Sequence, residues 1–156
     1  MRRSVVLLTS ALAVSLALEA AAEDRRRWLA LSSPEARTVV YGTPESGDLV
    51  ISFSCKRATR QIVVGFIHEP VGAENGMRIG MELSSEGGRV RLDATGERLP
   101  PFDGRFLLLA ETMPSPALRD MLTQGKTLSV MVQDGVEEIP LEGAAEAAAP
   151  LIEACG

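Results

Sequence analysis

Two cysteines are the residues of this chain whose chemistry is easiest to define. Cys55 and Cys155 lie one hundred positions apart. Redox or nucleophilic use of either thiol is not favoured, because neither belongs to a CxxC motif and no base lies beside either one. In an exported protein, a single pair of cysteines is expected to form a disulfide with one possible connectivity. We therefore predict a Cys55–Cys155 bond, which would stabilise the fold by up to roughly 4.7 kcal/mol.

Other residues capable of catalysis are scarce. The single histidine, His68, has no second histidine or free cysteine with which to complete a zinc or catalytic set. The sequence contains no GxSxG, HExxH, P-loop or dinucleotide-binding motif. Ser52 and Ser54 are expected on the outward face of a strand with no base marked beside them. The sequence thus predicts a protein that is not an enzyme and that has no catalytic residues, cofactor or metal.

A short basic cluster is the first candidate for binding. Lys56, Arg57 and Arg60 occupy a polar turn in an otherwise acidic chain and could meet a phosphate, a carboxylate or an acidic partner. The alternative is a solvated turn whose charges discourage edge-to-edge association. We keep these three residues and His68 as candidate binding residues. The loop over residues 70–77 is a second candidate contact.

The amino-terminal segment has the composition of a secretory signal peptide. Arg2 and Arg3 precede an apolar run over residues 5–18, and three alanines at 20–22 then provide the small residues of a cleavage site. We predict cleavage between Ala22 and Glu23, which makes residues 1–22 the signal peptide. The apolar run is shorter than the ~20 residues of a membrane span. The expected destination is the periplasm of a Gram-negative bacterium.

The exported part would be a single β-rich domain over residues 23–156. It would hold 134 residues, enough for one hydrophobic core, with a net charge of −6 against −5 for the whole chain. An acidic domain lacks the basic face that nucleic-acid binding requires. We expect no stable membrane anchor after cleavage, and no lipid anchor because no cysteine follows the small residues. The sequence leaves the oligomeric state open.

Alternating apolar residues and turn signals predict about eight or nine short strands. The expected strands are residues 28–31, 38–41, 49–55, 61–68, 78–83, a returning strand through 90 and 92, 105–111, 128–132 and 136–141. Residues 93–103 are expected to be a loop. The run at 61–68 is apolar at nearly every position, which predicts cover on both faces. The lone tryptophan, Trp28, is expected to anchor the core.

Two helices interrupt the strand pattern. The first is predicted to start at Ser115-Pro116, with proline at its first position, and to end at Gly125. The second covers residues 143–155 and is rich in alanine. Pro150 lies inside it, so this helix could be divided into two pieces. The fold class expected is therefore an antiparallel β-sandwich or partly open barrel with one short inserted helix and a C-terminal helix.

Three segments carry a resemblance to a known group of proteins. The export signal, the strand at residues 50–55 and the tail over 139–144 and 151–156 resemble periplasmic proteins of alphaproteobacteria. The closing pattern, an apolar strand followed by a glycine and a helix ending in Ala-Cys, is similar to periplasmic accessory proteins of type VI secretion and to invasion-associated locus B proteins. The resemblance implies a β-sandwich-like envelope domain whose terminal helix is held by a disulfide. It implies no catalytic residue.

The leading functional hypothesis is a non-enzymatic periplasmic protein that acts through a binding surface on an envelope protein partner, in secretion, envelope assembly or stress tolerance. The alternative is a periplasmic enzyme inhibitor similar to lysozyme inhibitors, or a carrier of a small apolar ligand. The first class predicts a partner that the surface captures, whereas the second predicts either inhibition of an enzyme or a co-purified small molecule.

Overall fold

The computed structural model describes residues 26–44, 47–100 and 103–156. The predicted signal peptide and its cleavage site lie outside this part of the chain. The nine strands are β1 (Arg27–Ser32), β2 (Ala36–Gly42), β3 (Leu49–Lys56), β4 (Gln61–Ile67), β5 (Arg78–Ser85), β6 (Gly88–Arg98), β7 (Phe106–Thr112), β8 (Thr127–Val132) and β9 (Gly135–Pro140). The two helices are α1 (Pro116–Gln124) and α2 (Ala144–Cys155).

All nine strands form one antiparallel sheet in the order β1-β2-β3-β4-β7-β6-β5-β8-β9. The sheet curls into a half-barrel. The prediction of a mainly β fold with an inserted and a C-terminal helix is confirmed, and a single curled sheet corresponds to the partly open barrel. β1 and β9 are the two edges of this sheet.

The hydrophobic core lies between the inner face of the sheet and the two helices. Trp28 and Phe53 come from the strands, Met121 from α1 and Leu151 from α2, and all four belong to one buried cluster. The prediction for Trp28 is confirmed, since its side chain is 6% exposed and its ring packs at a tilt of 48° against Tyr41, with ring centroids 5.3 Å apart. The helices therefore cover one side of the sheet only.

Helix α1 begins and packs as its sequence predicts. The Ser115 hydroxyl accepts a hydrogen bond of 3.2 Å from the Leu118 backbone nitrogen, and Pro116 occupies the first turn. The turn between β5 and β6 lies directly against the helix. A Cβ atom on Gly87 would come 2.0 Å from the Asp120 carbonyl oxygen, so only glycine permits this approach.

Helix α2 is continuous through Pro150. This answers the question that the sequence left open. Proline removes the hydrogen bond that residue 150 would otherwise donate to the carbonyl of Glu146. Buried contacts of Ala144, Ala148 and Leu151 on the sheet, and the cysteine at the last turn, hold the helix in place despite this loss.

One segment predicted as a loop is a strand. Strand β6 continues to Arg98, pairing first with β5 and then, from Thr95 onward, with β7. The inward positions of this part are Ala94 and Gly96, which are too small to give an apolar signal. A Cβ atom on Gly96 would lie 2.2 Å from the Phe106 ring, so the ring fills the space that glycine leaves.

Within the described ranges, neither helix has the length and apolar composition needed to cross a bilayer.

Candidate functional site

The predicted disulfide is present. Cys55 and Cys155 are bonded, with their Cα atoms 5.9 Å apart, and both side chains are buried. Cys55 lies on the inner face of β3, where it pairs in register with Ile62 of β4. The bond fixes the end of α2 onto the inner face of β3, close to the β3–β4 turn. Among the described residues no thiol is free.

The basic turn between β3 and β4 makes its contacts within the protein. Lys56 Nζ lies 2.5 Å from Glu111 Oε1 on β7, and Arg57 Nη1 donates a hydrogen bond of 3.3 Å to the Pro34 carbonyl oxygen. Arg60 Nη2 donates a hydrogen bond of 2.5 Å to the Gly156 oxygen. Arg60 thereby ties the turn to the residue after α2.

His68 is not part of this cluster. It follows the opposite end of β4, about 23 Å along the strand from the turn at the usual rise per residue. Its Nε2 lies 2.9 Å from Asp134 Oδ1 in the β8–β9 turn, and its ring stacks on Phe66 with centroids 5.7 Å apart. The structure therefore does not bring the four predicted binding residues together.

The carboxylate of Asp134 makes a second hydrogen bond besides the one with His68. Its second carboxylate oxygen accepts a hydrogen bond of 2.7 Å from the Val71 backbone nitrogen. The hydrogen bond with His68, followed by that from Val71, lowers the pKa of Asp134 below its ordinary value. This pair fastens the predicted 70–77 loop to the β8–β9 turn. Within the described ranges no set of three or more His, Cys, Asp or Glu residues is arranged to hold a metal ion.

An apolar cleft opens between α1 and α2, beside the disulfide. It is lined mainly by Leu118, Leu122, Leu151, Ile152 and Cys155, and its volume is about 190 Å³. Sites for drug-sized ligands hold roughly 300–1,000 Å³, so this cleft fits only a small apolar group. Arg119 is the one charged side chain among its lining residues.

Apolar residues also line the outer side of the sheet, opposite the helices. Strand register places Leu29, Val40, Ser52, Gly65 and Leu109 in one row across β1, β2, β3, β4 and β7. This row crosses five strands without a charged residue. The residues of the row are packed together, since a Cβ atom on Gly65 would lie 2.9 Å from Ser52 Oγ and 3.6 Å from a Leu109 methyl.

The neighbouring rows continue this surface. Leu31, Thr38, Ser54 and Val63 follow on one side, in a row that ends at Glu111 of β7. Ile67 and the largely buried Leu107 lie on the other side. Leu31 is 52% exposed. We call the outward side chains of β1, β2, β3, β4 and β7 the outer apolar face.

The other half of the outer surface is charged. On β6 and β5 the outward positions include Arg89, Arg91 and Glu82, which form ion pairs of 3.3 and 2.7 Å. Met131 of β8 and Val136 of β9, which pair in register, are the large apolar residues exposed on this side, at 45% and 59%. The outer apolar face thus ends where β7 gives way to β6.

The outer apolar face is not among the binding sites predicted from the sequence. The signal was present, because β4 is apolar at nearly every position, but this was interpreted as cover on both faces. The helices cover only the inner face, and Val63 and Ile67 on the outer side remain partly accessible. Cover of the outer face of β4 stays a prediction, since outward Gly65 is buried while Val63 and Ile67 are partly accessible.

Comparison with known proteins finds no matching family model, no similar curated protein and no similar solved structure, so the resemblance to alphaproteobacterial periplasmic proteins stays a prediction.

Proposed function

We propose that this protein is an exported, non-catalytic component of the bacterial cell envelope that binds its partner through the outer apolar face. The observation that carries the proposal is the uncharged row across five strands, from Leu29 to Leu109. A sheet face that is solvated in a monomer normally alternates apolar inward residues with polar outward ones. Contiguous apolar patches on soluble proteins commonly mark interaction surfaces.

The periplasmic location is supported by two features of the chain. Residues 1–22 have the order of charges, apolar residues and small residues of a signal peptide. The disulfide is of the kind that forms and persists in oxidising compartments. Cell fractionation should find the protein in the periplasmic fraction with Glu23 as its first residue. If the protein recovered from cells still carries residues 1–22, this part of the proposal is contradicted.

The binding proposal is tested by cross-linking in living cells. A photo-reactive amino acid is placed at position 31 in one strain and at position 131 in another, because Leu31 and Met131 have similar exposures of 52% and 45% on opposite halves of the outer surface. We expect covalent adducts with an envelope component from position 31 and few from position 131. Equal yields at both positions would refute binding through the outer apolar face.

A second candidate function, carriage of a small apolar molecule, is favoured by the cleft between α1 and α2. Its lining is largely aliphatic and it opens beside the disulfide. Native mass spectrometry of protein taken from the periplasm should then show a bound small molecule. The Ile152→Trp variant, which fills the cleft, should lose it. A wild-type spectrum without any added mass would argue against this candidate.

A further inference from the structure

The charges of this protein are divided between the two halves of the sheet. Residues 26–67 and 105–112, which include the strands of the outer apolar face, hold seven basic and four acidic residues, a net charge of +3. Residues 68–104 and 113–156 hold six basic and 14 acidic residues, a net charge of −8. The half of the chain that carries the outer apolar face is therefore the cationic half of an acidic protein.

The cationic side chains lie at the two ends of the outer apolar face. At one end, Arg27 begins β1, and Arg26 and Arg105 share Asp48 at 2.8 and 3.3 Å. At the other end lies Lys56, paired with Glu111.

Arg57 lies at this second end as well. Among the described residues no carboxylate pairs with Arg27 or Arg57. The interior of the face is uncharged and its borders carry an excess of positive charge.

We propose that the outer apolar face docks on a lipid surface that contains anionic phospholipid. This inference rests on the proposed function and names the occupant of the face. Leu31, Leu109 and their neighbours would enter the boundary between headgroups and acyl chains, as the apolar side of an interfacial amphipathic element does. The arginines and the lysine at the two ends would reach the phosphates with their long side chains, while their aliphatic stems stay on apolar surface.

A lipid surface explains the distribution of charge better than a second copy of the chain does. The face is the convex side of a curled sheet, since both helices and the disulfide lie on the inner side. Two convex surfaces touch over a small area, whereas a fluid bilayer adapts to a convex one. A second copy would also bring the cationic ends of one face toward those of the other. An anionic bilayer instead attracts each basic residue near its surface by about 1 kcal/mol.

The test is co-sedimentation of the oxidised protein with two kinds of vesicle. One contains phosphatidylglycerol and phosphatidylethanolamine, and the other contains phosphatidylcholine alone. We expect binding to the first kind at low salt, weakening at high salt because surface charges are then screened. We expect little binding to the second kind. Failure to sediment with the anionic vesicles at low salt would overturn the inference.

Matched variants distinguish binding through the outer apolar face from nonspecific adsorption to the vesicles. Leu31→Glu should lower the binding constant about tenfold, because it replaces a half-exposed apolar contact by a charge of the wrong sign. Met131→Glu, on the acidic half, should leave it unchanged. Arg27→Gln should reduce binding about five-fold. Arg78→Gln should not reduce binding, because Arg78 is an outward residue of β5 and does not belong to the outer apolar face. Equal losses from both members of either pair would overturn the inference.

Two other results would overturn the lipid inference but leave the proposed function in place. One is a wild-type dimer in size-exclusion chromatography that Leu31→Glu converts to a monomer, without vesicle binding. The other is cross-linking from position 31 to a protein only, again without vesicle binding. If position 31 yields no adduct and the protein binds no vesicle, both the proposed binding through the outer apolar face and the lipid inference are refuted.

Discussion

The indole nitrogen of Trp28 donates a hydrogen bond of 2.7 Å to the carbonyl oxygen of Pro140, and this contact joins the first strand of the sheet to the last. In a flat sheet, eight strand spacings would place β1 and β9 about 38 Å apart. The contact therefore measures how far the sheet curls. It also explains why the only tryptophan lies on an edge strand.

Replacing Trp28 should show what this closure contributes. Trp28→Phe keeps a ring in the core but leaves the Pro140 oxygen without its donor, which should cost about 1–3 kcal/mol of unfolding free energy. Trp28→Ala should cost about 3–5 kcal/mol, because it also opens a cavity. Urea unfolding followed by circular dichroism measures both. If Trp28→Phe unfolds at the wild-type urea concentration, the hydrogen bond is not a stabilising closure.

Loss of the disulfide should destabilise the protein strongly. The bond closes a loop with a sequence separation of 100 residues. A Cys55→Ala/Cys155→Ala variant is expected to lose up to about 4.7 kcal/mol of unfolding free energy. The reduced wild type provides the matched comparison, since it keeps both sulfur atoms. Unfolding midpoints of the reduced and oxidised protein that agree within error would refute a stabilising role.

The His68–Asp134 pair should make stability depend on pH in the acid range. The pKa of Asp134 is lowered in the folded protein from an ordinary value of 3.8, first by the hydrogen bond with His68. A carboxyl whose folded pKa is depressed stabilises the fold above its unfolded pKa and loses that contribution as pH falls through the folded pKa. Asp134→Asn should therefore lower the melting temperature at neutral pH and differ less from wild type as the pH falls below 3.8.

Asp93→Asn is the control for this experiment. Asp93 lies exposed on the outward side of β6, and no described residue forms a hydrogen bond or ion pair with its side chain. The melting temperature of the Asp93→Asn variant should follow that of the wild type across the same pH range. A difference between Asp134→Asn and wild type that stays constant down to the most acidic pH would contradict the assignment.

Gly87 should tolerate no side chain. A Cβ atom there would lie 2.0 Å from a backbone oxygen of α1, so Gly87→Ala must displace the β5–β6 turn or the helix. We expect a loss of about 1–3 kcal/mol in unfolding free energy, as for other overpacked sites. Gly80→Ala is the matched control, because nothing lies within 4 Å of a Cβ atom at that position. Equal stability of the two variants would show that the turn can move freely.

Much of this fold can be read from local patterns. β3 shows strict alternation, and Asp134-Gly135 between alternating runs is a strong hairpin signal. Ser115-Pro116 marks the start of α1, and the reason is also local. The Ser115 hydroxyl accepts a hydrogen bond from a backbone N–H of the first turn, and Pro116 has no N–H that would be left unpaired there. These elements depend on contacts between near neighbours in sequence.

The features that could not be predicted depend on distant partners. The second half of β6 has only Ala94 and Gly96 facing inward, and its role is visible once Phe106 is placed over the glycine. The acceptor for Trp28 lies 112 residues away. Whether both faces of β4 are covered depends on where the helices pack, which the apolar run alone does not encode.

The candidate binding residues also divide into those placed by neighbours in the sequence and those placed by distant contacts. The sequence places Lys56, Arg57 and Arg60 together correctly, at the end of β3 and in the turn that follows, because they are neighbours in the chain. It cannot show that His68 lies at the far end of β4, or that Arg60 contacts Gly156. The outer apolar face is assembled from five strands whose order is not the order of the chain.

The position of the second cysteine sets the order of events during biosynthesis. A polypeptide that emerges from its amino end presents Cys55 long before Cys155 exists outside the ribosome or translocon. For that interval the protein carries one unpaired thiol, and the bond cannot form until the segment that holds Cys155 has followed, 100 residues later. Any product interrupted between the two positions keeps a lone sulfhydryl, which can form mixed disulfides with other thiols by exchange.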